Sequence, residues 1–139
     1  MPLPMFHIYG MVIGMLLPVW MQGKTILMSS FDLVLYLELI EKHRVTRSFI
    51  VPPILLALAK HPIVDKYDMS SLKTLNCGAA PLGEETANAA ATRLDCVVKQ
   101  GWGMTELSPV RHAHTHTDSC HSICICRYIT LAGCFAMLW

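Results

Sequence analysis

The chain has 139 residues, with eleven Lys/Arg against ten Asp/Glu and a formal charge of +1. That length holds one ordinary domain and not two, and so even a charge balance gives no basic excess for gripping nucleic acid. Charged residues make up 15% and apolar residues 53%, which excludes disorder of the whole chain and fits the interior of something larger better than a free-standing domain.

The elements follow in chain order. Residues 9–22 are apolar and read as a helix kinked at Pro18. Gly14 and Pro18 break the run 11–21, which falls short of the roughly 20 residues a bilayer core needs. The first basic residue, Lys24, comes after that run, so neither a transmembrane helix nor a signal peptide is expected. Residues 24–28 (KTILM) read as a short strand after Gly23. Ser29 and Ser30 then offer an N-cap, and Asp32 puts an anion in the first turn of a helix over 31–43. Its polar residues Glu38, Glu41 and Lys42 share one narrow stripe, so most of its circumference should be buried.

Residues 46–51 (TRSFIV) read as a strand stopped by Pro52 and Pro53, which suit the first turn of a helix over 54–60. His61-Pro62 ends that helix. Residues 68–72 form a capped turn, and 74–77 a strand running into the glycine-bearing loop 78–83. Glu84 and Glu85 favour the positive end of a helix reaching Leu94. Residues 96–99 form a strand entering the loop 100–106, QGWGMTE. Such alternation implies an α/β fold: a partial three-layer αβα arrangement with a mostly parallel sheet. Ligands then sit at the carboxyl ends of strands, where both glycine-bearing loops fall.

The pattern breaks near Val110. Four of the seven histidines and four of the six cysteines lie beyond it, and residues 111–139 read as an irregular tail. His112, His114, His116 and His121, with Cys120, Cys124 and Cys126, carry the right atoms for Zn²⁺ or copper. Their spacings, HxHxH and CxxxCxC, match no common closed zinc site. The alternation His114-Thr115-His116-Thr117 is what a CA-dinucleotide repeat encodes, so the tail reads as sequence foreign to the fold in preference to a metal site. Cys77 and Cys96 read as small buried hydrophobes outside any disulfide framework.

The loop 100–106 concentrates the chemistry. Gly101 and Gly103 let backbone approach a ligand, Trp102 offers a flat π face, Thr105 a hydroxyl and Glu106 a hard oxygen for Mg²⁺. From chemistry alone the same residues also make a tight strand-to-helix turn around a core Trp. This heptapeptide closely resembles the QGYGMTE motif of the adenylate-forming acyl-CoA synthetases, a superfamily including the 4-coumarate:CoA ligases, fatty acyl-CoA synthetases and luciferases. Residues 3–10 (LPMFHIYG) are similar to that family's P-x-F-H-x-Y segment, and Val51-Pro52-Pro53 to its V-P-P. Residues 67–73 (YDMSSLK) and 77–83 (CGAAPLG) are similar to its D-L-S-S-L-K and S-G-A-A-P-L-G. The resemblance covers about residues 2–110 and leans toward the plant 4-coumarate:CoA ligase-like group.

The resemblance implies a two-step reaction: a carboxylate attacks the α-phosphate of ATP, and CoA then displaces AMP from the acyl-adenylate. The small-molecule acid, ATP/AMP, Mg²⁺ and CoA are the implied ligands. By motif, Thr105 would hold the α-phosphate and Glu106 would ligate Mg²⁺. Trp102, Gly103 and Met104 would border the adenylate, and Gly78, Ala79, Ala80 and Pro81 would shape the adenine and acyl pocket. Gln100 and Gly101 would line the acyl group, and His7 and Tyr9 would lie near its carboxylate; a histidine before an apolar helix is otherwise a packing residue. Several family features have no counterpart here: the phosphate loop with its Lys, the Thr-Gly-Asp motif and the C-terminal domain with its catalytic Lys. Ser30 stands where many relatives carry Lys before Phe31-Asp32. The expectation is a fragment without turnover alone, cytoplasmic or peroxisomal, whose apolar helices expose patches to partners.

Overall fold

The computed structural model describes residues 1–107 and 110–115. A helical stretch, α1, runs through Ile8–Gly10, Met11–Leu16 and Leu17–Trp20. His7 caps it, its Nδ1 accepting the Tyr9 N–H at 3.2 Å. A π turn over Met11–Leu16 stands just before Pro18. A proline ring presses on the carbonyl four residues before it, and the wider π turn relieves that crowding. At Gly10 a Cβ would overlap the Pro4 carbonyl oxygen, so glycine lets the entry segment cross the helix closely.

Residues 24–28 are not a strand. Their backbone partner is one residue, the Met1 amino group donating to the Ile26 carbonyl at 2.6 Å and the Met28 N–H donating to the Met1 carbonyl at 3.3 Å. A β-prone segment becomes a strand only where a neighbour pairs along its length. Helix α2, Leu33–His43, begins two residues later than its sequence suggests, because Asp32 rather than Ser29 or Ser30 is the cap. The Asp32 carboxylate accepts the Leu35 N–H at 2.8 Å. The helix ends at Arg44 in the left-handed conformation.

Strand β1, Arg47–Ile50, leads to α3, Pro52–Lys60, whose two prolines fill its first turn. A 3₁₀ turn, Pro62–Lys66, and an Asx turn with Asp68 accepting the Ser70 N–H at 2.9 Å lead to β2, Thr74–Cys77. Helix α4, Glu84–Leu94, and β3, Val97–Gly103, follow. Strands β1, β2 and β3 are parallel neighbours in register, Ser48 opposite Leu75 and Leu75 opposite Val98. The first stretch of the region read as an irregular tail is a strand: β4, Val110–Thr115, runs antiparallel to β3. His112 and His114 therefore stand on β4 opposite Trp102 and Gln100. His116, His121 and the cysteines beyond 115 lie outside the described residues.

Side chains alternate across the sheet. Ile50, Leu75 and Val98 face the core with Leu55, Leu58 and Ile54 of α3 and Ala87, Ala90 and Leu94 of α4. Tyr36 of α2 joins them, its hydroxyl hydrogen-bonded to Ser48 at 2.8 Å. On the opposite face Phe49 and Asn76 share a cavity with Tyr9 and Ile13 of α1, giving the partial three-layer α/β arrangement. Arg93 of α4 ties α3 to the following turn: its guanidinium donates to the carbonyls of Leu58, Ala59 and His61 and pairs with Asp65 at 2.8 Å. Among the described residues no helix is long and apolar enough to cross a membrane.

Candidate functional site

Strand direction decides where a site can form. The carboxyl ends of β2 and β3 open beside the start of α1 on a cavity of about 290 Å³. Residues 100–103 belong to β3 itself and do not form a loop after it, because β4 pairs along them. Only Met104 and the 3₁₀ turn Thr105–Leu107 leave the sheet. All seven residues of 100–106 line the cavity, as do Gly78, Ala79, His7 and Tyr9. Thr105 and Glu106 thus share one crevice with the 78–79 bend. Ala80 and Pro81 do not line it; both are exposed just beyond.

Close packing across two strand ends shapes the floor. A Cβ at Gly78 would come within 3.2 Å of the Gly101 carbonyl oxygen and 3.5 Å of the Tyr9 ring, so side-chain-free backbone lets the three meet. The Tyr9 hydroxyl donates to the Asn76 carbonyl at 3.3 Å, joining α1 to the end of β2. Burial pushes the Tyr9 phenol well above its usual range. The Cys77 thiol is likewise raised by burial, to about 11, so it stays protonated at neutral pH. Ala79 holds a left-handed backbone at φ 73°, costing about 1–2 kcal/mol for a residue with a Cβ.

Several lining residues are missing from the sequence reading: Ile8, Ile13, Phe49, Asn76 and Cys77. Alternation on β1 and β2 could have put Phe49 and Asn76 on the face away from the core. Nothing local signals that α1 crosses that face. Among the described lining residues Glu106 carries the only carboxylate, and His7 the only imidazole. Among the described residues no group of three metal-ligating side chains comes together. A single carboxylate suits a divalent ion delivered on phosphate oxygens, since Mg²⁺ is ordinarily held by one or two carboxylates plus its substrate's phosphates. The cavity lining combines apolar Ile13 and Phe49 with polar Thr105 and Glu106.

Residues 1–125 match the family model described as AMP-binding enzyme. Over 109 residues the chain is 50% identical to "Probable 4-coumarate--CoA ligase 3" of Dictyostelium discoideum, covering 77% of this chain and 20% of that protein. It is 46% identical to 4-coumarate–CoA ligase 1 of Solanum tuberosum, covering 78% and 20%. The chain therefore spans about a fifth of the length of these relatives. Among solved structures it superposes on the N-terminal domain of FACL13 from Mycobacterium tuberculosis with a TM-score of 0.70 and 28% identity, over 76% of this chain and 26% of that one. A long-chain-fatty-acid–CoA ligase from Archaeoglobus fulgidus gives 0.68 and 30%, over 81% and 24%. O-succinylbenzoate CoA synthetase from Bacillus subtilis, solved with ATP and magnesium, shares the fold at 0.72 and 23%, over 83% and 23%.

Proposed function

The chain belongs to the AMP-binding enzyme family, and from that premise we propose that its cavity is the acyl-adenylate pocket of an ATP-dependent carboxylate–CoA ligase. One observation supports this most: Thr105 and Glu106 stand in the same crevice as the Gly78–Ala79 bend and the His7–Tyr9 segment. The nearness of relatives named as 4-coumarate–CoA ligases, and the close, side-chain-free approach of Gly78 to Gly101 beside the Tyr9 ring, favour a planar aromatic acid over a long aliphatic one.

Each role follows from chemistry at its position. The Thr105 hydroxyl would donate to an α-phosphate oxygen, and Glu106 would be the protein ligand to Mg²⁺, an ion whose chemistry there would be to neutralise phosphate charge. The exposed Trp102 ring would stack on the adenylate. Gln100 and Gly101 border the acyl group, while Gly78 and Ala79 admit it through small size. His7 accepts the Tyr9 N–H at Nδ1, which leaves Nε2 as the ring nitrogen placed to donate toward a carboxylate oxygen. Ala80 and Pro81 act from the rim.

The phosphate-loop cations and the C-terminal Lys of the family lie outside these 139 residues. Each such electrostatic contact is worth about 10²–10³ in rate, so these residues by themselves should turn over negligibly. Binding tests the reading. A non-hydrolysable 4-coumaroyl sulfamate of adenosine should titrate the chain saturably by calorimetry, and Glu106→Gln should abolish the Mg²⁺ dependence of ATP affinity. Absence of saturable binding would refute the pocket assignment. Robust ATP–pyrophosphate exchange would refute the inactivity.

A further inference from the structure

The chain has nine methionines, and a thioether is open to oxidation where an oxidant can reach it. Among the described residues three are well exposed: Met15 at 48%, Met21 at 50% and Met104 at 46%. Met15 lies within α1 and Met21 just past its end. Met104 alone of the three lines the cavity of the candidate site. β3 ends at Gly103 and the 3₁₀ turn begins at Thr105, so Met104 is the joint between the strand that carries Trp102 and the turn that carries Thr105 and Glu106.

The crevice has one other sulfur among its described lining residues, Cys77. That thiol is buried and held protonated, and a protonated thiol is a poor nucleophile. Peroxide entering the crevice therefore meets Met104 first. Oxidation turns an apolar thioether into a polar, chiral sulfoxide. Its oxygen carries partial negative charge. The described lining offers the Glu106 carboxylate and no Lys or Arg, so no fixed cation receives that oxygen. It repels the phosphate oxygens that Thr105 and Glu106 are placed to hold.

We propose that Met104 is an oxidative modification site that switches the crevice off: a peroxide converts its thioether to the sulfoxide, and the sulfoxide excludes the adenylate. The sulfur lone pair attacks one peroxide oxygen, the O–O bond breaks and the S–O bond forms. Sulfur gives up two electrons, and the second oxygen leaves as water with the peroxide's own protons. Methionine sulfoxide reductases reverse the change, as a switch requires. The inference rests on the adenylate reading of this cavity.

The test treats the whole chain with hydrogen peroxide, follows each methionine by peptide mass spectrometry, and titrates the 4-coumaroyl sulfamate of adenosine by calorimetry. Met15 and Met21, equally exposed and away from the crevice, are the internal controls. A saturating analogue should slow oxidation of Met104 at least tenfold and leave both controls unchanged. The oxidised chain should bind the analogue at least tenfold more weakly, and the two methionine sulfoxide reductases should restore its affinity. Met104→Leu keeps the volume and removes the sulfur. Its affinity, whatever the starting value, should no longer respond to peroxide while the controls still oxidise. An analogue that binds and leaves Met104 unprotected, or that binds the sulfoxide form equally well, overturns the switch and leaves the pocket standing. A peroxide response that persists in Met104→Leu also overturns it. Failure of the untreated chain to bind the analogue overturns the pocket reading itself, and the switch with it.

Discussion

Residues 1–31 and residues 47–100 are both rich in apolar side chains, yet they meet water very differently. In the second region Leu55, Leu58 and Leu75 are fully buried; in the first Phe6 is 95% exposed and Val19 75%. The first region carries far fewer charged residues than the second, so the difference lies in partners. Residues 47–100 form three paired strands whose crossover helices return onto the same sheet. The N-terminal region crosses the other face and closes one cavity there, while Met15, Leu16 and Trp20 remain exposed. Burial here is a property of topology before it is one of composition.

Truncation at matched apolar sites gives the largest separation. Leu75→Ala should lose about 3 kcal/mol of stability in urea unfolding, as a fully enclosed leucine does, and a loss under about 1 kcal/mol would break the contrast. Alkaline pH should separate the regions next. Cys77 and Cys96 have thiols raised by burial from 9.0 to about 11. Their stabilisation is complete below pH 9 and is lost as pH rises through 11. Stability should fall by at most about 3 kcal/mol per thiol over that window, and Cys77→Ala should flatten the fall; an identical slope would remove Cys77 as its source. Asp32→Ala, at the join between the two regions, should cost about 1 kcal/mol through loss of its cap on α2, read by thermal unfolding, with Asp32→Asn keeping most of it. Val19→Ser should change stability by less than about 0.5 kcal/mol, and a larger loss would mean that the N-terminal helix is as well supported as the sheet.

The same contrast explains what the sequence revealed. β2 and α4 fall where alternation and the acidic pair Glu84-Glu85 put them, at Thr74–Cys77 and Glu84–Leu94, because their signals are local. Residues 24–28 mislead because strand formation needs a neighbour, which here amounts to Met1. Ser29 and Ser30 mislead because any of three capping residues could start α2, and the burial of Tyr36 and Leu37 selects Asp32. Gln100–Gly103 reads as a loop until β4 is seen to pair with it, through contacts about ten residues apart. The cavity was legible through motifs, which name His7, Tyr9, Gly78, Ala79 and 100–106. Ile13 and Phe49 escaped because only the crossing of α1 over the sheet brings them there.

The left-handed backbone at Ala79 bears on how this crevice would greet a guest. A glycine could swing its peptide planes freely at that spot; an alanine forced into the same shape has few other shapes to visit once its neighbours hold it. The lip of the cavity is thus set before anything arrives, and the entropy of shaping it is spent during folding and not at the moment of capture. Exchange of that one methyl for hydrogen would leave the other lining residues in place and still soften the grip.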